Sequence, residues 1–119
     1  MPAPSPNSRL ADIVQAIELI RTELASMTLA ALELDIRKRW LIERGLEIIS
    51  EASRHLPDEM KARHPATPWR KVAGIGNVLR HNYERVAHDL LWHVAHADLP
   101  PLYEVCRGEL EAARGNREP

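Results

Sequence analysis

The feature that most constrains the fold of this chain is a stripe of apolar residues near its N-terminus, spaced three and four positions apart. This spacing places all members on one side of an α-helix, whereas a half-buried strand alternates with a period of two. A helix with one apolar side must pack that side against other elements. The pattern predicts an amphipathic first helix, whose stripe comprises Leu10, Ile13, Ile17, Ile20, Leu24 and Met27.

Helical periodicity continues along the chain, and no alternating strand pattern competes with it. A second pattern spans about 29–56, with Leu41, Ile48, Ile49 and Ala52 expected to be buried. Pro57 ends this pattern, because proline disfavours helix at the residue before it. The proline-rich segment that follows predicts a connector with one helical turn at 58–63.

Two further helices are predicted after the connector. One begins near Arg70 and continues to about His96, and Pro100 and Pro101 then open a last helix. Four amphipathic helices with short connections predict an all-α fold, namely an up-and-down four-helix bundle with a short extra helical turn in the connector. We expect a disordered tail over 1–8 with Asn7 or Ser8 available as a cap, one helical domain over 9–113 and a frayed tail over 114–119.

Composition and charge limit the kinds of binding site and the cellular location that we expect for this chain. The formal net charge is −1, so any contact with RNA must use a local basic patch. Cys106 is the single cysteine, which excludes an intrachain disulfide and a multi-cysteine zinc site. These features, and the absence of an apolar run of roughly 20 residues, predict a cytoplasmic protein without a membrane segment or cofactor.

The third long helix carries a polar face on which chemistry could take place. Asn77 and His81 lie four positions apart, so they project from the same side, and Arg80 lies in the same half-circle. An imidazole can exchange protons near neutral pH, and a guanidinium can stabilise a phosphorane. Alternatively, this is the ordinary solvated side of an amphipathic helix. A metal site from His93 and His96, or from His81 and His88, is the weaker alternative.

Several blocks of the chain resemble one known family. They are the stretches 43–52, 68–69, 77–83 and 98–100, which read ERGLEIISEA, PW, NVLRHNY and DLP. Together they resemble, over residues 9–111, the HepT-like branch of the HEPN superfamily. The resemblance implies a homodimeric all-α toxin of a type VII toxin–antitoxin pair, which cleaves RNA without a metal. Its partner would be an MNT-type nucleotidyltransferase antitoxin.

The resemblance also implies roles for individual residues. The family motif reads arginine, a polar residue, three further residues, histidine, any residue and tyrosine. Asn77 matches the polar residue, His81 the catalytic histidine, and Tyr83 the tyrosine that the antitoxin would nucleotidylate. Gly76 stands where the motif has its catalytic arginine, and glycine supplies neither charge nor side chain.

Gly76 leaves several explanations open. Arg80, about 40° around the helix from position 76, could supply the missing guanidinium from one turn later. Alternatively, the chain is a catalytically silent helical dimer that keeps the fold and binds a nucleotidyltransferase, or glycine was selected because an active toxin is hard to express. A four-helix nucleotide-binding module is a third functional class. Gly74 and Gly76 could also mark an irregular helix start.

Overall fold

The computed structural model describes residues 5–81 and 88–115, and all regular structure in these two ranges is helical. The all-α prediction is therefore confirmed for the described part of the chain. The elements are α1 (Pro6–Leu24), α2 (Leu29–Glu33), α3 (Ile36–Arg54), α4 (Asp58–Ala62), α5 (Trp69–His81), α6 (His88–His93), a π-helical turn (Val94–Asp98) and α7 (Leu99–Gly115).

Helix α1 begins earlier than the sequence pattern suggests. The Ser5 side chain accepts a hydrogen bond from the Ser8 amide at 3.2 Å, and Pro6 occupies the first turn. Proline fits there because the first amides of a helix have no intrahelical acceptor. The predicted capping by Asn7 or Ser8 is therefore wrong. The apolar stripe is buried as predicted through Leu24, where the helix ends.

The predicted second helix is divided into α2 and α3. The Asp35 carboxylate accepts a hydrogen bond from the Lys38 amide at 3.0 Å, which caps a new helix after the short α2. Burial along α3 differs from the prediction at two positions, because Leu41 is 39% exposed and Ile48 is only partly buried. Ile42, which was not predicted, is fully buried. The unbroken helix over 29–56 is therefore a wrong prediction.

Helix α3 is the centre of the packing, in contact with α1 on one side and α5 on the other, while α7 packs against α1. Gly45 lets α3 approach α1 closely, since a Cβ at this position would lie only 2.8 Å from Ile20 Cδ1. The buried core draws on all of these helices. It includes Leu10, Ile13, Ile17, Ile20, Leu32, Ile42, Leu46, Ile49, Leu91, Leu99, Leu102 and Cys106.

The connector is fixed to both of its neighbouring helices. Its predicted helical turn is present as α4, and α5 begins at Trp69, one residue before the predicted start. The Trp69 indole donates to the carbonyls of Lys61 and His64, each at 3.1 Å. Glu109 of α7 accepts from Arg63 Nη2 at 2.6 Å and contacts His64 Nε2 at 2.7 Å. His64 is half-buried at this contact.

Helix α6 continues through the π-helical turn into α7. The Leu99 amide donates to the Val94 carbonyl five residues earlier, as in a π-helix. Pro100 and Pro101 lack amide protons and their rings crowd the carbonyls one turn back, which gives this wider turn a physical cause. Among the described helices, none has the length and apolar character that crossing a bilayer requires.

Candidate functional site

Helix α5 carries the predicted site residues that the structure describes. Val72, Gly76 and Leu79 are buried, so the same helix turns Asn77, Arg80 and His81 outwards, where all three are exposed. These three residues therefore share an accessible surface next to a buried glycine. The prediction for Tyr83 concerns a residue outside the described ranges.

Gly76 lies inside α5, eight residues from the end of the connector, so the expectation of an irregular helix start is wrong. Its amide donates to the Ser50 hydroxyl of α3 at 3.1 Å. Ser50 in turn donates to the Ala73 carbonyl at 2.6 Å and is only 1% exposed. One buried hydroxyl thus joins α3 to both ends of the helical turn that precedes Asn77.

Arg80 bends back towards the position where the motif arginine is missing. A Cβ placed on Gly76 would lie 3.3 Å from Arg80 Nη1 and 3.1 Å from Ser50 Oγ. The Arg80 guanidinium therefore lies directly beside the space that any side chain at position 76 would enter. A cation is present near residue 76 although glycine itself supplies none.

Arg54 brings a second cation to the same turn of α5. Its Nε and Nη2 donate to the Ala73 carbonyl at 3.2 Å and 2.9 Å. The adjacent Glu51 pairs with Arg54 of its own helix and with His55, the residue that follows the helix. Mainly through the hydrogen bond with His55, the pKa of Glu51 is lowered. Ser50 and Arg54 thus hold the same carbonyl of the site-bearing helix.

Two of the other histidines considered as metal ligands, His88 and His96, have partners of their own. His88 Nδ1 lies 3.1 Å from Arg39 Nη1, which places a cation beside the ring. His96 donates through Nδ1 to the Trp92 carbonyl at 2.8 Å, and its ring packs on the Trp92 ring with centroids 4.1 Å apart. These contacts anchor α6 and the π-helical turn.

Cys106 has the environment of a packing residue. The thiol is fully buried in the core, and this burial raises its pKa to about 12. Thiolate is the reactive form of cysteine, so an elevated pKa keeps the side chain unreactive near neutral pH. The nucleophile of any reaction at α5 must come from elsewhere.

Ser50 and Arg54 were missed as site residues by the sequence analysis. A signal was present for Ser50, because it follows Ile49 in the apolar stripe of α3 and a polar residue there needs a hydrogen-bonding partner. The periodicity of α3 does not reveal that this partner is the backbone of α5.

Comparison with known proteins identifies the family. The model of the HepT-like family, described as "Ribonuclease HepT-like", matches residues 13–108. The chain is 35% identical to "Probable ribonuclease HepT" of Thermococcus cleftensis over 105 residues, covering 88% of this chain and 92% of that protein. It is 36% identical to "Putative RNase MJ1380" of Methanocaldococcus jannaschii over 64 residues, covering 54% and 59% respectively.

No solved structure gives a significant match to the chain. The family model and the names of the relatives support the prediction that this protein is a ribonuclease. Both the matched span and the similarity to the Thermococcus protein extend over most of the sequence. The chain therefore belongs to the ribonuclease HepT-like family.

Proposed function

We propose that this protein is a HepT-like toxin that cleaves RNA without a metal, with Arg80 in the role of the motif arginine. The observation that carries the proposal is the position of the Arg80 guanidinium beside Gly76, on the helix that presents His81. In this arrangement Arg80, one helical turn after Gly76, supplies the positive charge that the motif arginine would provide. Family membership supports the ribonuclease activity.

The proposed reaction uses the RNA's own 2′-hydroxyl as nucleophile. His81 takes the hydroxyl proton, the 2′-oxygen attacks the adjacent phosphorus, and the bond to the 5′-oxygen breaks. Arg80 stabilises the charge on the phosphorane oxygens, while Asn77 orients the phosphate or the imidazole. The leaving 5′-oxygen takes a proton from solvent, and the other product ends in a 2′,3′-cyclic phosphate.

Analysis of the cleaved RNA ends in the presence of EDTA tests this mechanism. We expect cyclic-phosphate ends and cleavage that persists without divalent ions. His81→Ala should reduce the rate by roughly 10²–10⁴-fold, and Arg80→Ala by roughly 10²-fold or more. A 5′-phosphate product, or cleavage that stops when EDTA is added, would overturn the proposal.

We also propose a homodimer in which two copies of the chain form the RNA cleft. The described surface supports an interface on α5 and α6, because Val78 and Leu90 are 43% and 40% exposed and line one groove together with Leu46 and Ile75. Exposed apolar surface of this kind is typical of association sites. Within each copy, α1, α3, α5 and α7 would be the four helices of an up-and-down bundle.

The regulatory part of the proposal concerns the partner. We place this protein in the cytoplasm, where an MNT-type nucleotidyltransferase antitoxin would transfer a nucleotide to Tyr83, two residues after His81. A nucleotide on a tyrosine so close in sequence to His81 would block RNA by bulk and negative charge. Mass spectrometry of the protein co-expressed with such a transferase should show the added nucleotide on Tyr83, and Tyr83→Phe should prevent its addition.

A catalytically silent dimer that binds the nucleotidyltransferase is the second candidate, and Gly76 is the observation that favours it. Expression of the wild type would then leave cellular RNA intact. Gly76→Arg would restore cleavage, and His81→Ala in the same chain would remove it again. Cleavage of RNA by the purified wild type excludes this candidate.

A further inference from the structure

We propose that Ser50 is a positioning residue for Arg80, an inference that rests on the proposed ribonuclease function. Ser50 lies on α3, and its hydroxyl contacts the turn of α5 over 73–76, which immediately precedes Asn77, Arg80 and His81. It touches α5 rather than the RNA. Its role is to fix this turn so that the Arg80 guanidinium lies beside Gly76.

The hydrogen bonds of Ser50 fix its orientation. A hydroxyl has one proton to donate, and here that proton goes to the Ala73 carbonyl, while the hydroxyl oxygen of Ser50 accepts from the Gly76 amide. The residue is 1% exposed, so water cannot easily replace either partner. Loss of the hydroxyl would leave the Gly76 amide without this acceptor, and only Arg54 of the two α3 residues would still hold the Ala73 carbonyl.

The absence of a side chain at position 76 is the second part of the arrangement. A Cβ on Gly76 would lie 3.1 Å from Ser50 Oγ, 3.5 Å from Ser50 Cβ and 3.3 Å from Arg80 Nη1. Two of these distances are tighter than ordinary van der Waals contact. The Ser50–Gly76 pair and the Arg80 guanidinium therefore fill one common space, and an arginine at position 76 would compete with both neighbours.

Ser53 provides a matched control. It is also a serine of α3 with 1% exposure, but its hydroxyl donates to the Ser50 carbonyl at 2.7 Å within the same helix. Ser53→Ala removes a buried hydroxyl of the same size without touching α5. Any effect that follows from losing a buried serine in general appears in both alanine variants.

Kinetics on an RNA oligonucleotide provide the first test. We expect Ser50→Ala to lower kcat about 10-fold or more with little change in KM, and Ser53→Ala to leave both within about 2-fold, because only Ser50 positions a group needed in the transition state. Ser50→Ala combined with Arg80→Ala should be no slower than Arg80→Ala alone. Equal losses in both serine variants, or independent multiplicative losses in the double variant, would overturn the proposal.

Nuclear magnetic resonance of the full chain gives a second test that needs no activity. In the wild type and in Ser53→Ala, the Gly76 amide should be protected from hydrogen exchange and the Arg80 guanidinium signals should be those of a restrained group. Ser50→Ala should remove both signatures. A mobile Arg80 in the wild type overturns the positioning role even if RNA is cleaved. Conversely, wild type that shows both signatures but does not cleave RNA overturns the ribonuclease proposal alone.

Discussion

Gly45 and Gly76 both lie where α3 meets another helix, but they meet different neighbours there. Gly45 faces Ile20 of α1, whose Cδ1 would be 2.8 Å from an added Cβ. Gly76 faces the Ser50 hydroxyl and the Arg80 guanidinium, which would be 3.1 Å and 3.3 Å from a Cβ added at this position. The first glycine allows two apolar helices to pack closely. The second makes room for polar groups that belong to the candidate site.

The difference shows that a glycine inside a helix is not in itself a loss of function. Glycine costs roughly 1 kcal/mol relative to alanine in a helix interior, so each position needs a compensating contact. At Gly45 this contact is apolar burial, and at Gly76 it includes the hydrogen bond to Ser50. Mutations at the α1–α3 contact should therefore affect stability, whereas mutations at the α3–α5 contact should affect activity.

The largest effect is expected from Ile20→Ala at the α1–α3 contact. Ile20 is 1% exposed, and truncation of a buried isoleucine leaves a cavity that costs about 2–5 kcal/mol in the free energy of unfolding. Urea unfolding at one fixed protein concentration measures this loss. A change below about 1 kcal/mol would show that α1 and α3 can close the cavity and that their contact is less rigid than we infer.

Alanine at each glycine compares the two contacts directly, with effects of intermediate size. Gly45→Ala should destabilise the protein by about 1 kcal/mol, because overpacking against Ile20 outweighs the gain in helix propensity. Gly76→Ala should change the free energy of unfolding by less than Gly45→Ala does, because the gain in helix propensity offsets a smaller steric overlap. It should nevertheless lower kcat about 10-fold, because the new methyl group displaces Arg80. Unfolding curves and RNA cleavage rates of both variants distinguish these outcomes. Identical behaviour of the two variants would contradict the comparison.

The smallest effect is expected at the charged contact between the connector and α7, and it depends on pH. Hydrogen bonds from Arg63 and then His64 lower the pKa of Glu109 below 4.5, against the opposing effect of burial. A carboxyl whose pKa is lower in the folded than in the unfolded state stabilises the protein at a pH above its unfolded-state pKa. This stabilisation is lost as the pH falls through the folded-state pKa. Glu109→Gln should therefore cost up to about 1 kcal/mol near neutral pH.

As the pH falls from 4.5 through the lowered pKa of Glu109, this difference between Glu109→Gln and the wild type should shrink, because the wild-type carboxylate becomes neutral like the glutamine. Urea midpoints for both proteins across the acid range provide the measurement. Within the described ranges, the atoms nearest to the two glycines belong to Ile20, Ser50 and Arg80, none of which is a carboxylate. The alanine variants should therefore keep a constant difference from the wild type over the same pH range. A pH-independent difference for Glu109→Gln would show that its ion pairs do not contribute.

The sequence predicts what depends on local periodicity. The α1 stripe ending at Leu24 follows from spacing alone, and so does the outward direction of Asn77 and His81 on α5. Even the approach of Arg80 to position 76 follows from helical geometry, because residues four apart are neighbours on a helix surface. These predictions require no knowledge of which helices touch.

The features that the sequence did not predict depend on competition or on tertiary contact. Asp35 could continue the long pattern or cap a new helix, and only the structure shows that it caps α3. Ser50 could have pointed to solvent or bonded within its own helix, as the Ser53 hydroxyl does. Its assignment to the site requires the packing of α3 against α5. Tyr83 lies outside the described residues, so its role stays a prediction.

The burial of Cys106 has a practical consequence for studying this molecule in solution. Its thiol, with a pKa raised to about 12, can react with disulfide reagents at neutral pH only when the core transiently opens. Since the chain contains no second cysteine, the rate of modification reports a single event. The rate at which Cys106 is modified thus measures, without any added label, how often the helices around α7 open.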